Sequence, residues 1–157
     1  EPKKGRRQAL RVVGDVLGWR PASGQTNLEA ALLELEAALP PRAVVILLSD
    51  LQAEGFEIPL ARIARRHEVV AIQLTDALEQ SLPDAGLVEL WDPESDLSFT
   101  VDTCDPGVRE LLRAQQRQFN ERVQKQVLSS GADFLRLDAS QPYAEELVGF
   151  FRRRARR

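Results

Sequence analysis

Two apolar runs limit what this chain can become. Val44-Val45-Ile46-Leu47-Leu48 and Val69-Val70-Ala71-Ile72-Gln73-Leu74 are short and rich in β-branched residues, which is the pattern of strands. The lack of alternation predicts strands buried on both faces, the situation in a parallel sheet covered by helices. Each run ends on a hydroxyl residue followed by an acid, Ser49-Asp50 and Thr75-Asp76. Between them, a loop with Gly55 and Pro59 leads to Leu60, Ile63 and Ala64 at helical spacing. Strand, helix and strand in that order form a crossover unit.

The flanking segments extend the same scheme. Leu10, Val13, Val16 and Leu17 recur on one face of a helix that Gly18 closes, and a loop with Pro21 and Gly24 comes next. Thr26-Asn27-Leu28-Glu29 reads as a capping box opening a helix with Leu28, Ala31, Leu32, Leu35, Ala38 and Leu39 on one face; Pro40-Pro41 stops it. Leu87–Trp91 and Leu97–Val101, joined by Asp92-Pro93-Glu94-Ser95-Asp96, predict a β-hairpin. Asp105 as N-cap and Pro106 in the first position start the longest helix, with a stripe of Val108, Leu111, Leu112, Gln115, Phe119, Val123 and Val127. Gly131 ends it, and Phe134–Leu137 forms a third strand ending at Asp138. A last helix buries Leu147, Val148 and Phe151 and runs into a basic tail, Arg152–Arg157. The expected fold is α/β, a partial doubly wound, Rossmann-like parallel sheet flanked by helices and carrying an inserted hairpin.

The totals narrow the function. A length of 157 residues suits one domain, and 43% apolar with 29% charged residues is a globular balance. A net charge of -3 speaks against nucleic acid as the main partner. No apolar run approaches the roughly 20 residues of a membrane helix. The single cysteine, Cys104, permits no internal disulfide. One cysteine and one histidine, His67, make zinc improbable, and a Cys104–His67 nucleophilic pair would lack an orienting third group. The glycine-rich phosphate cradles are absent from the sequence, and Lys3, Lys4 and Lys125 are misplaced for a phosphoacceptor receiver domain. The chain contains no methionine and begins at Glu1. With only three clear parallel strands, this reads as a single domain, residues 1–157, cut from a longer protein whose first strands lie upstream.

Chemistry in such a sheet belongs at the carboxyl ends of the strands. There the sequence offers Ser49-Asp50, Thr75-Asp76 and Asp138, with loop-borne Thr26 able to join them. These are hard oxygen donors, suited to Mg²⁺ or a similar cation. Each has a plainer explanation: Thr26 as an N-cap, Asp76 and Asp138 as turn caps. Asp50 comes directly after a buried strand and begins no evident helix, so ligand and turn residue stand level for it.

Gly24-Gln25-Thr26-Asn27-Leu28, then Val45–Leu48 with Ser49-Asp50-Leu51, then Arg66-His67-Glu68-Val69-Val70-Ala71-Ile72, then Asp76, Glu79, Leu82-Pro83 and Gly86-Leu87, resemble the bacterial domain of unknown function 58 family. Its members are von Willebrand factor A-like. The likeness runs from Arg6 to Arg154, with departures at Ala77, where the family often has proline, and at Ser95-Asp96, in place of a Thr-Gly turn. The resemblance implies membrane anchoring upstream, a cytoplasmic location for this domain, and a link to MoxR-type AAA+ ATPases in assembling or activating other proteins. It also implies a metal-ion-dependent adhesion site fed by three loops, with Thr26 on the second and Asp50 on the third; Ser49, at the same strand end, is a weaker candidate. The first loop, Asp-x-Ser-x-Ser, is not found in this sequence and would precede Glu1. Two donors, a Thr hydroxyl and one carboxylate, hold Mg²⁺ poorly, so about millimolar binding at best is expected of this chain.

The leading expectation is therefore a protein-interaction domain, metal-dependent in the full-length protein, and not an enzyme. A metal-assisted hydrolase built on Asp50, Asp76 and Asp138 is the alternative. Two further contacts are open: anionic lipid at Arg152–Arg157, against a plain solvated tail, and self-association through an exposed edge at Val44–Leu48.

Overall fold

The computed structural model describes residues 4–20, 26–80, 82–92 and 97–156. The loop containing Pro21 and Gly24, the hairpin turn Pro93–Asp96 and Arg157 lie outside the described residues. In chain order the elements are α1 (Arg6–Gly18), α2 (Leu28–Ala38), β1 (Val44–Ser49), α3 (Glu57–Ala64), β2 (Glu68–Thr75), α4 (Ala77–Gln80), β3 (Leu87–Asp92), β4 (Leu97–Asp102), α5 (Pro106–Ser129), β5 (Asp133–Asp138) and α6 (Ala144–Arg154).

The apolar runs do form the parallel sheet, in the order β1-β2-β5. Val44 pairs with Glu68 and Ser49 with Gln73; Val70 pairs with Asp133 and Thr75 with Asp138. Alternation along β2 sends Val69 and Ala71 to one face and Val70 and Ile72 to the other. On the first face they meet Leu28 and Leu32 of α2, Leu60 and Ile63 of α3, and Val123 and Val127 of α5. On the second, Val70 and Ile72 join Leu135 and Leu137 under Leu147, Phe150 and Phe151 of α6. Helices thus lie on both sides of a Rossmann-like sheet, with β3 and β4 pairing antiparallel as the separate hairpin.

Several expectations about burial need correction. β1 is not buried on both faces: Val45 is buried, but Val44, Ile46 and Leu48 are 58%, 50% and 61% exposed. The reason is positional. β1 is an edge strand, and α6 covers only the β2 and β5 side of that face. α1 forms where its periodicity places it, yet it buries none of its residues. In α6, Phe150 takes the core position expected of Val148, which is exposed.

Helix ends obey local chemistry with one shift. The N-cap of α2 is Asn27, not Thr26: Asn27 Oδ1 accepts from the Ala30 backbone N–H at 2.9 Å. Asparagine is at least as good a cap as threonine, so the helix begins one residue later. Glu29 does not complete a capping box; its carboxylate lies against Gly55, where an added Cβ would stand 3.0 Å from Oε2. Gly55 also has φ +77, a conformation that favours glycine. α5 starts as expected, with Asp105 Oδ1 accepting from Gly107 N–H at 2.7 Å and Pro106 in the first turn. Gly131, at φ +83, turns the chain toward β5.

The basic end is part helix. Arg152, Arg153 and Arg154 form the last turn of α6, where cations offset the helix dipole. Arg154 is partly buried and bridges Asp133 at 2.6 Å and Glu68 at 3.0 Å, joining α6 to the amino ends of β2 and β5.

Candidate functional site at the carboxyl rim

The rim is built from the turns that leave the strand ends. After β1 the chain departs from the sheet in a compact turn. Ser49 Oγ accepts from Leu51 N–H at 3.0 Å and donates to Asp50 Oδ1 at 3.3 Å, while Gln52 N–H donates to the same Oδ1 at 3.2 Å. Leu51 has φ 60 and is 1% exposed. A non-glycine residue in the left-handed region costs about 1–2 kcal/mol, which burial of the leucine side chain among Leu28, Phe56 and Leu60 offsets. The Asp50 side chain is left exposed, with one oxygen used by the turn.

The other two strand-end acids serve their own turns. Asp76 Oδ1 accepts from Leu78 N–H at 2.7 Å at the start of α4. Asp138 Oδ1 accepts from Ser140 N–H at 2.9 Å and from Ser140 Oγ at 2.6 Å. The turn-capping account given to both on sequence grounds is what their contacts show. Among the described residues, no three His, Cys, Asp or Glu side chains come together as a group able to hold a metal. Asp50, Asp76 and Asp138 share a rim but form no carboxylate cluster.

Thr26 reaches the same end as Asp50. α2 crosses the inner face and returns through Arg42 to the start of β1, so its first turn stands over the carboxyl end of that strand. Leu28 and Leu51 share one core cluster, and Glu29 touches Gly55 in the loop after Asp50. Thr26 is exposed just before that turn. The first turn of α2 thus lies against the loop that follows Ser49 and Asp50.

Beneath the Asp50 turn lies a feature that sequence reasoning missed. Gln73 and Asn120 are buried polar residues, linked at 3.0 Å, and Arg136 donates to both. A glutamine inside the β2 run was the signal: an amide in a buried strand must find partners. Beside the turn, residues Leu51–Gly55, Glu57 and the α5 residues Phe119, Arg122 and Gln126 line a cavity of about 350 Å³. Arg122 lies over the Phe119 ring at 5.6 Å.

Neither Cys104 nor His67 belongs to this rim chemistry. His67 Nδ1 accepts from Ala43 N–H at 3.1 Å, at the amino end of the strands. Cys104 is exposed, and a hydrogen bond to Asp84, together with the charge of that carboxylate, raises its thiol pKa. The hairpin base is closed by buried Thr103, whose hydroxyl donates to Gly86 O at 2.8 Å and accepts from Ala85 N–H at 3.0 Å.

Comparison with known proteins adds no described activity. An uncharacterized protein of Mycobacterium avium is 30% identical over 139 residues, which cover 87% of this chain and 80% of that protein. Uncharacterized proteins of Mycobacterium bovis and Mycobacterium tuberculosis are also 30% identical over 139 residues, but those residues make up only 43% of each. The chain thus spans less than half the length of these two relatives. No solved structure matches it. A family model described as "Protein of unknown function DUF58" matches residues 1–122, well over half the chain, and the chain belongs to that family.

Proposed function

We propose that the carboxyl rim is a protein-interaction surface that works with a divalent cation in the full-length protein, and that the domain is not an enzyme. The observation that carries this reading is the Ser49-Asp50-Leu51 turn: a buried, left-handed leucine anchors an exposed carboxylate at the strand end. Rigid backbone under an exposed acid suits a contact that must be presented in one orientation.

The donor set fits a hard cation in kind but does not fill its coordination shell. Asp50 would contribute a carboxylate oxygen, Thr26 a hydroxyl, and Ser49 a second hydroxyl in place of its present turn contacts. Mg²⁺ prefers near-octahedral oxygen coordination, so this chain alone should bind it at about millimolar strength or worse. A carboxylate from the partner would supply a further ligand, which makes affinity depend on the complex. The family resemblance suggests a MoxR-type AAA+ ATPase as that partner, a von Willebrand factor A-like role for the domain, and work in assembling or activating other proteins.

The proposed setting is the cytoplasmic side of a membrane-anchored bacterial protein. No helix among the described residues is long and apolar enough to cross a membrane. The exposed Arg152, Arg153 and Arg156 offer a second contact, to anionic lipid, where each basic residue contributes about 1 kcal/mol. Sedimentation with anionic liposomes, with and without substitution of these arginines, measures that contribution.

The decisive experiment is capture of the ATPase by full-length protein with magnesium, with EDTA, and with Asp50→Ala. Binding should fall in both altered conditions; undiminished capture removes the cation and Asp50 from the account. A hydrolase using Asp50, Asp76 and Asp138 is disfavoured because the latter two hold their own turns and the three form no cluster. A phosphatase screen of full-length protein with Mg²⁺ or Mn²⁺ should be silent.

A further inference from the structure

Gln73 sits in the middle strand at 1% exposure, flanked in register by Ser49 on β1 and Arg136 on β5. This polar row crosses the sheet just inside its carboxyl rim. On the face toward α5 the polar atoms are matched one by one. Arg136 Nε donates to Gln73 Oε1 at 2.9 Å, and Arg136 Nη2 donates to the Asn120 backbone carbonyl at 2.8 Å. The Gln73 amide nitrogen donates to Asn120 Oδ1 at 3.0 Å and, in a longer contact of 3.4 Å, to the Asp50 backbone carbonyl.

That last contact has a particular geometry. The β1–β2 register ends at Ser49 and Gln73, so the Asp50 carbonyl lies beyond the paired residues. Its partner is a side chain fixed from two sides, by a helix and by the neighbouring strand. The next residue, Leu51, is the one held at φ 60. If the carbonyl lost this partner, the Asp50–Leu51 peptide would keep only the Leu51 N–H bond to Ser49 Oγ, and the turn that directs the carboxylate would open more readily.

We propose that Gln73, held by Asn120 and Arg136, is a positioning residue for Asp50: it fixes the peptide after Asp50 and so aims the carboxylate out of the rim. The functional significance rests on Asp50 being the rim's contact acid; the positioning itself is measurable without any cation or partner.

The test is amide hydrogen exchange by NMR on this chain, recorded in EDTA. Gln73→Glu keeps the size and the acceptor for Arg136 but removes the nitrogen that donates to both the Asp50 carbonyl and Asn120 Oδ1. The Leu51 and Gln52 amides, bonded to Ser49 Oγ and Asp50 Oδ1, should then exchange about tenfold faster or more, while Ala139, bonded to Thr75 O at the adjacent strand end, keeps its rate. Asn120→Asp retains the Oδ1 acceptor and should leave both amides protected. Asn120→Ser withdraws that acceptor and should speed the same two amides by a smaller factor, which gives a reading even if Gln73→Glu does not fold. Unchanged Leu51 and Gln52 rates, or equal acceleration at Ala139, overturns the proposal by showing no role or a merely structural one. Magnesium titration of the unaltered full-length protein tests the cation separately, so either idea can fail alone.

Discussion

Asn27 and Cys104 show how single side chains here depend on their immediate neighbours. Asn27 holds the first turn of α2 through one hydrogen bond, so Asn27→Ala should cost about 1 kcal/mol in chemical denaturation. A greater loss from Thr26→Ala than from Asn27→Ala would return the cap to Thr26. At Cys104, the Asp84 carboxylate favours the protonated thiol, so at mildly alkaline pH the thiolate fraction is below that of an unperturbed cysteine. Asp84→Asn removes the negative charge and moves the thiol pKa down. Alkylation of Cys104 by iodoacetamide at such a pH should therefore accelerate, and the rate–pH curve should shift toward lower pH. Asp50 and Asp76 were legible as residues because a hydroxyl–acid pair after an apolar run is conspicuous; Asp138 follows Leu137 and was marked by its place at a strand end alone. The turn bonding of Asp76 and Asp138 followed from ordinary turn preference. At Asp50 the sequence left turn and ligand level, since a turn cap and a ligand have the same composition and differ only in where the second oxygen points. The choice between Thr26 and Asn27 was equally hidden: adjacent residues both able to cap leave the start of the helix to packing of Leu28.

At the scale of elements, the run pattern found the strands and misjudged one environment. Val44–Leu48 and Val69–Leu74 have nearly the same composition, but one is an edge strand and the other central. Apolar runs report β propensity and some burial; they carry no information on which neighbour covers which face. The difference has a measurable consequence. Leu60 and Val127 are fully buried against the sheet, and Leu60→Ala should destabilise by about 2–5 kcal/mol through lost burial and the cavity left behind. Ile46→Thr, on the open face of β1, should change stability by no more than about 0.5 kcal/mol. Equilibrium urea unfolding of both variants checks the contrast; a core-sized loss at Ile46 would mean that something covers that face in solution. α1 teaches the same lesson. Its 3.6-residue periodicity predicted the helix and its apolar side, yet periodicity names a face to bury and not the surface that receives it.

The whole molecule has a well-packed side and an open one. α2, α3 and α5 close the inner face of the sheet, and α6 closes the outer face over β2 and β5. What remains is a contiguous strip on β1, formed by Val44, Ile46 and Leu48 along a strand edge that no other described strand pairs, together with the apolar residues Leu10, Val13, Val16, Leu17 and Trp19 in and just after α1. An open edge presents backbone donors and acceptors to any extended chain, and its apolar side chains add burial to the pairing. The isolated chain should consequently associate with itself as concentration rises. Sedimentation velocity across a concentration series should show the weight-average mass climbing above that of a 17.6 kDa monomer. Ile46→Lys places a charge in the middle of the strip, where desolvation opposes any strand added alongside, and should restore the monomer without altering the circular dichroism spectrum. A wild-type chain that stays monomeric throughout would show that charge and side-chain entropy at this edge outweigh three half-exposed apolar residues, and that the open face of β1 is tolerated rather than sticky.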